Sequence, residues 1–306
     1  MKTLEISLVS LVILISFGLN FYFGHQGLMP LDDLQNFNSG FRVLNGDFPF
    51  RDYYSITGPL LDIWQGNIYK IFGVSWQSFL LQASIMNCLY SLTIFLFLKC
   101  LKFSPINCFY YSLSAGLLMY PTAGNPTVEH SSLILSVIAT LIFFTALMQN
   151  KKNYIFVSIL IFFIAFFNKQ VPTSYFIIFC ILIYIFRIFS NYDKLTLFHT
   201  FIYTLIISVI FMIYFNLNNV SFESIYDQYI TIATNLGENR FADLNFNFAY
   251  ENISKLFFLL FLLIPSFYLS YITRKFDVSI ILISLSLIII FYEIHSNNQP
   301  ITFSLL

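Results

Sequence analysis

The sequence has few charged residues and few cysteines, and both shortages narrow what the chain can be. Asp, Glu, Lys and Arg make up only 10% of the 306 residues, whereas they are about 25% of a typical soluble domain. The four cysteines form no CxxC pair, and none lies in a loop that we predict to face outwards. We therefore expect neither a disulfide nor a cysteine-bound metal. No tract of basic residues indicates binding to nucleic acid.

Several familiar catalytic patterns are also missing. The chain has no Walker, Rossmann or GxSxG motif, and its four histidines are too scattered to form an HExxH or HxxxH metal site. We expect no cofactor. Aspartate clusters can bind Mg²⁺ or Mn²⁺, however, so a divalent cation stays an open alternative.

What the chain does contain is a series of long apolar runs, which predict helices that span a membrane. The predicted spans are 4–23, 77–98, 105–120, 131–148, 153–168, 172–189, 196–215, 256–273 and 277–292. We expect an all-α, polytopic transmembrane bundle that forms a single membrane domain over residues 1–306 and ends soon after the ninth span. The first run lacks an A-x-A cleavage site, which favours a retained anchor over a signal peptide.

The distribution of charge predicts the orientation. If the N-terminus is cytoplasmic, nine of the 15 basic residues lie inside and twelve of the 15 acidic residues lie outside, as the positive-inside rule requires. The two large polar loops, 24–76 and 216–255, are then both external. We expect an integral protein of the bacterial inner membrane whose functional site is on the outer face.

The first of these loops holds the most informative residues. Asp32 and Asp33 follow the first span directly and precede a short predicted helix over 34–44. They are either solvated carboxylates at a helix N-terminus or a pair in which one aspartate serves as general base and the other orients it. Further along, Thr57-Gly58-Pro59 predicts the start of an amphipathic helix that carries Trp64 at headgroup level.

Four other positions have two readings each. Arg51-Asp52 is either a local ion pair or an arginine fork for a phosphate. Lys169, in a very short turn at membrane depth, either snorkels to the interface or holds the phosphate of a lipid. Glu129-His130 either caps the fourth span or contacts a sugar or the base. Arg240 is an ordinary loop arginine or a further phosphate ligand.

Taken together, Asp32-Asp33, the stretch Asn45-Gly46-Asp47-Phe48-Pro49-Phe50-Arg51-Asp52 and the step Gly58-Pro59 resemble the first outer loop of GT-C glycosyltransferases. The resemblance is to the protein mannosyltransferase and aminoarabinose-transferase type, including bacterial enzymes that modify surface glycans. It implies an inverting transfer of a sugar from a polyprenyl-phosphate donor to a lipid, glycan or protein acceptor. The second acidic residue departs from the pattern, because Glu is frequent there.

The same resemblance implies roles for the site residues. Asp32 would be the catalytic base and Asp33 would orient it. Arg51, Lys169 and Arg240 would bind the donor phosphate, and the remaining candidates, Asp52, Glu129 and His130, would contact the substrate. Two rivals stay open, a transporter or flippase of lipid-linked glycans and a polymerase of such glycans. A transporter would need polar groups along a path through the membrane, whereas here they gather at one face.

Overall fold

The computed structural model describes residues 2–28, 30–119, 124–191, 194–232 and 234–235, and every regular element in these ranges is a helix. The elements are α1 (Lys2–Phe23), α2 (Pro30–Leu44), α3 (Leu60–Phe72), α4 (Trp76–Cys100), α5 (Pro105–Leu118), α6 (Val128–Gln149), α7 (Lys152–Phe166), α8 (Gln170–Asn191), α9 (Lys194–Leu217), α10 (Phe222–Ile225) and a π-helix (Tyr226–Thr231). The prediction of an all-helical fold is confirmed for this part of the chain.

Four described helices are long and apolar enough to cross a membrane, as expected of an integral membrane protein. They are Thr3–Phe23, Trp76–Cys100, Val128–Gln149 and Phe198–Leu217. The prediction of nine spans is therefore confirmed only in part. Helices do form at 105–120 and 153–168, but α5 has 14 residues and α7 has 15, short of the roughly 20 that a bilayer needs. The predicted spans 256–273 and 277–292 lie outside the described residues.

The short helices end where the chain supplies caps and turns that a hydropathy pattern does not register. The Ser104 hydroxyl accepts a hydrogen bond from the Asn107 amide, with Pro105 at the first helical position. Such a cap fixes the N-terminus of α5. At the C-terminal end of α7, the backbone amides of Asn168 and Lys169 donate to the Ala165 carbonyl and close the helix.

α6 is the central helix of the described bundle. It packs against α4, α7 and α8, and most of its apolar stretch is buried, whereas α1 and α9 leave most of theirs exposed. Exposed aliphatic side chains are stable in lipid and not in water, so the exposed apolar surfaces of α1 and α9 are consistent with an integral membrane protein.

A seam of small polar residues joins α1, α4 and α5. Ser16 donates a hydrogen bond to Ser91 over 2.9 Å, and Asn20 donates one to Ser84 over 3.2 Å. Gly116 lets α5 approach, since a Cβ there would collide with the Ser91 hydroxyl oxygen. Small and polar residues at such contacts are typical of helix association in membranes.

Contacts at the two ends of the bundle agree with the predicted grouping of connecting segments. At one end, Lys99 forms an ion pair with Glu5 at 3.1 Å, and both were predicted to be cytoplasmic. At the other end, the first polar loop contacts the segments that follow α5, α7 and α9. Which end faces the cytoplasm remains a prediction.

Candidate functional site

α2 begins at Pro30, four residues earlier than the predicted helix at 34–44. Pro suits the first helical turn because it lacks the amide that would stay unbonded there. The positive end of the helix dipole also favours two carboxylates in that turn. The prediction that the helix starts after the aspartates is therefore wrong, and Asp32 and Asp33 belong to α2 itself.

The two aspartates have different surroundings. Asp32 is exposed to solvent, whereas Asp33 is fully buried and its Oδ2 accepts a hydrogen bond from the Asn125 amide over 2.6 Å. One turn along α2, Asn36 donates to the Pro126 carbonyl over 3.1 Å. α2 is thus attached through its buried face to the segment that precedes α6, and Asp32 is left facing outwards.

Two glycines position Asn125 over Asp33. Gly124 has a φ of +71°, and a Cβ on it would lie 2.5 Å from the Gly24 nitrogen, so the two backbones touch. The Asn20 amide fixes this contact by donating to the Gly124 carbonyl over 3.1 Å. Asn125 was not among the predicted site residues. Its place in a Gly-Asn-Pro step before an apolar helix was the available signal.

Glu129 and Lys169 form an ion pair that joins the first turn of α6 to the turn between α7 and α8. Each side chain is 24% exposed. The cap of α6 is Thr127, whose hydroxyl accepts from the His130 amide over 3.2 Å, so Glu129 does not serve as the cap. Glu129 and Lys169, which were predicted as two separate candidate contacts, therefore pair with each other.

His130 points into the bundle. It is buried, and its Nε2 lies at hydrogen-bond distance from the Met119 carbonyl. In this arrangement its ring does not reach the loop surface, and its predicted contact with substrate stays a prediction.

The Arg51 guanidinium is engaged by its own surroundings. It contacts the Asp52 Oδ2 through Nε and Nη2 at 2.9 and 2.6 Å, and Nη1 donates to the Asn218 carbonyl over 2.8 Å. The pKa of Asp52 is lowered, first by the hydrogen bond from Arg51 and then by that from the Phe48 amide. These contacts form a local ion pair, which was one of the two alternatives for Arg51-Asp52. They also tie the first polar loop to the segment after α9. Arg240 lies outside the described residues.

A buried carboxylate on α3 was missed altogether. Asp62 is only 6% exposed and accepts a hydrogen bond from the Tyr53 hydroxyl over 2.8 Å. Burial raises the pKa of Asp62 to about 7, and the Tyr53 hydrogen bond opposes that rise. The Arg42 guanidinium lies 4.4 Å above the Tyr53 ring. The signal was present, because Asp62 shares a helical face with Gln65 and Tyr69, which are also buried.

Contacts at Gln228 and Gly58 hold the first polar loop against later segments of the chain. Gln228 donates to the Phe50 carbonyl and accepts from the Ser55 amide, both over 3.0 Å. Gly58, with a φ of +98°, touches the chain after α7, since a Cβ there would collide with the Phe167 carbonyl oxygen. The loop is therefore a fixed part of this end of the bundle.

An apolar cavity of about 650 Å³ lies beside α7, α9 and α10. Its lining is mainly aromatic and aliphatic, and includes Phe163, Phe167, Phe211 and Phe215. Asn216 and Ser221 bring polar atoms to the lining, close in sequence to the Asn218 carbonyl that Arg51 contacts. The cavity has the size of a small-molecule site and the surface chemistry for a hydrocarbon chain.

Within the described ranges, no three His, Cys, Asp or Glu side chains converge as metal ligands would, and the divalent-cation alternative stays untested. Comparison of the chain with protein-family models, with curated proteins and with solved structures found no match. The function of this site must therefore be inferred from its own residues.

Proposed function

We propose that this chain is an inverting glycosyltransferase that moves a sugar from a polyprenyl-phosphate donor to a lipid, glycan or protein acceptor on the outer face of the membrane. The observation that carries the proposal is the contrast between Asp32 and Asp33. One carboxylate is exposed just beyond the span Thr3–Phe23, while its neighbour is buried against Asn125. This gives an accessible base on a fixed support at the membrane boundary.

In the proposed reaction, Asp32 takes the proton from an acceptor hydroxyl or amine. The acceptor atom attacks the anomeric carbon of the sugar, and the bond from that carbon to the phosphate oxygen breaks. The electron pair of that bond leaves on the phosphate, and the configuration at the anomeric carbon inverts. Asp33 keeps α2, and with it Asp32, in position through its hydrogen bond to Asn125.

The leaving phosphate gains negative charge, so fixed cations at its position lower the barrier. We propose Lys169, Arg51 and Arg240 for this role. Lys169 and Arg51 each hold a carboxylate, Glu129 and Asp52 respectively, and each side chain is partly exposed. A phosphate would share these cations with their carboxylates. The cavity beside α7 and α9 would suit the hydrocarbon part of the donor.

The transporter alternative is less well supported than the enzyme. Buried polar residues lie along α6, where the Ser136 hydroxyl donates to that of Thr173 over 3.0 Å, and in the seam of α1, α4 and α5, where a Cβ added at Gly116 would collide with Ser91. Such close packing serves helix association and leaves no room there for a glycan. A polymerase of lipid-linked glycans would use the same kind of site, and only its products distinguish it.

The test uses purified protein in lipid vesicles with defined polyprenyl-phosphate sugars and candidate acceptors. We expect a mass increase of one sugar on an acceptor, with inverted configuration at the anomeric carbon. Repeated addition of sugar units would indicate the polymerase instead. Movement of intact donor across the vesicle membrane, with no transfer, would replace the enzyme by the flippase.

A further inference from the structure

α2 has an unusual distribution of buried and exposed residues. Its buried face carries a carboxylate, Asp33, and a glycine, Gly40, which contacts Gln65 and Tyr69 on α3. Its exposed residues include large apolar side chains, Leu31 at 83%, Leu34 at 54% and Phe41 at 43% exposure. A helix in water would place these residues the other way round.

The sequence divides α2 into three faces at helical spacing. Residues seven apart return to nearly the same side, and consecutive residues are separated by about 100°. Asp33 and Gly40 form the face packed on the protein, and Leu34 and Phe41 belong to a second, mainly apolar face that also carries the exposed Asn38. Asp32 and Ser39 form a third, polar face, roughly opposite the apolar one. Three faces of this kind fit a helix that meets protein, lipid and water at once.

The position of α2 places it beside two helices that are able to span the membrane. The Trp76 indole, at the start of α4, donates to the Gly24 carbonyl just after α1, over 3.1 Å. Phe37 of α2 packs against this junction, with its ring centroid 5.5 Å from that of Phe79 and 6.4 Å from that of Trp76. α2 therefore lies at the junction between the end of α1 and the start of α4, two candidate spans.

Exposed apolar residues also lie along the chain between α1 and α2. Tyr22 and Phe23 at the end of α1, Leu28 after it and Leu31 of α2 are all exposed. Indole and phenol rings are favoured at the headgroup level. The exposed apolar residues of α2 thus follow directly on the exposed apolar residues of α1, which is a candidate span.

We infer that α2 is a membrane-interface helix, with Leu31, Leu34 and Phe41 in contact with bilayer lipid and with Asp32 and Ser39 in water. The partner of this surface is the lipid bilayer itself. The helix fixes the height of Asp32 relative to the membrane, since the carboxylate projects away from the lipid contact. This inference does not depend on the proposed reaction.

Single cysteines carrying a nitroxide label test the inference. The native cysteines, Cys88, Cys100, Cys108 and Cys180, are first replaced by serine. Leu34→Cys and Phe41→Cys then report the apolar face, and Ser39→Cys reports the polar face. Leu14→Cys on α1 is the lipid reference, because Leu14 is 67% exposed on a candidate span. Each labelled protein is reconstituted in vesicles after its monodisperse elution has been checked.

We expect the labels at Leu34 and Phe41 to relax more with oxygen than with a water-soluble nickel chelate, as at Leu14, and the label at Ser39 to show the reverse. Stronger relaxation by nickel at Leu34 and Phe41 would mean that this face is in water. If oxygen and the nickel chelate both fail to relax the labels at Leu34 and Phe41, protein covers this face of α2. Either result overturns the inference. If one of the two variants does not fold, Leu31→Cys takes its place.

Discussion

Replacement of Asp62 by asparagine should stabilise the protein at alkaline pH, although it removes a buried hydrogen-bonded group. The pKa of Asp62 is raised from 3.8 to about 7 by burial. Between these two values the folded state binds more protons than the unfolded state, so stability falls as the pH rises and levels off above 7. An asparagine side chain at this position cannot ionise, and therefore avoids this cost.

The size of the effect follows from the same two values. A displacement from 3.8 to about 7 corresponds to about 4 kcal/mol at pH 8. At pH 5, only about one unit above 3.8, less than half of this cost is present. Because asparagine can still accept the hydrogen bond from Tyr53, the gain from the substitution should be clearly smaller at pH 5 than at pH 8. With an unfolding entropy of about 2.1 cal/mol/K per residue, 1 kcal/mol shifts the melting temperature of this 306-residue chain by about 1.5 °C, so a gain of about 6 °C is expected at pH 8.

The assay is thermal unfolding in detergent at one fixed heating rate, at pH 5 and at pH 8, for the wild type and Asp62→Asn. Asp47→Asn is the matched control, because the Asp47 side chain is 40% exposed and paired with Arg42, so its replacement should produce no gain at pH 8. Tyr53→Phe should lower the melting temperature more at pH 8 than at pH 5, since it removes the donor to the ionised carboxylate. An equal loss for Asp62→Asn at both pH values would refute the reasoning.

Three further predictions concern the contacts around the site. Lys169→Met should cost about 1–3 kcal/mol of stability in thermal unfolding, because it leaves the Glu129 charge without its partner. The double variant Lys169→Glu with Glu129→Lys should recover part of this loss, and no recovery would argue against the ion pair. Gly58→Ala should lower the melting temperature more than Gly46→Ala, because both have positive φ but only Gly58 meets a backbone carbonyl; equal losses would argue against that contact. Ser39→Cys should react with an impermeant maleimide in whole cells, and protection until lysis would reverse the orientation.

The helices were predictable because long apolar runs determine where they form, whereas their ends depend on single residues. Pro30 starts α2 ahead of the two aspartates, which no hydropathy pattern records. Ser104 caps α5 where its predicted span begins, and the turn at Asn168 ends α7. The described residues confirm four of the predicted spans by length and composition.

The candidate site was only partly predictable, because its contacts join residues far apart in the sequence. Glu129 and Lys169 are 40 positions apart, and Asp33 and Asn125 are 92 apart. Charge counts could assign such residues to one end of the bundle, and did so. They could not indicate which side chains meet, since that depends on how the helices pack.

α3 forms at the predicted amphipathic segment, but its apolar residues divide between two environments. Leu61 and Ile68 are buried, whereas Ile71 and Phe72 are 73% and 63% exposed. The helix also buries Asp62 and Gln65 against its neighbours. Apolar periodicity predicts burial only when the surroundings are water, and next to a bilayer the same residues can face lipid.

The most direct test of the proposed function is the rate of sugar transfer by Asp32→Asn in the purified protein. The substitution keeps the size of the side chain but cannot take a proton, and general-base catalysis is typically worth about 10²–10⁴-fold. We predict a loss of that order with donor binding retained, and near-normal transfer by Asp47→Asn. If Asp33→Asn is inactive while Asp32→Asn is active, the base was assigned to the wrong member of the pair. Near-normal transfer by both variants would contradict the proposal that this carboxylate pair carries the reaction.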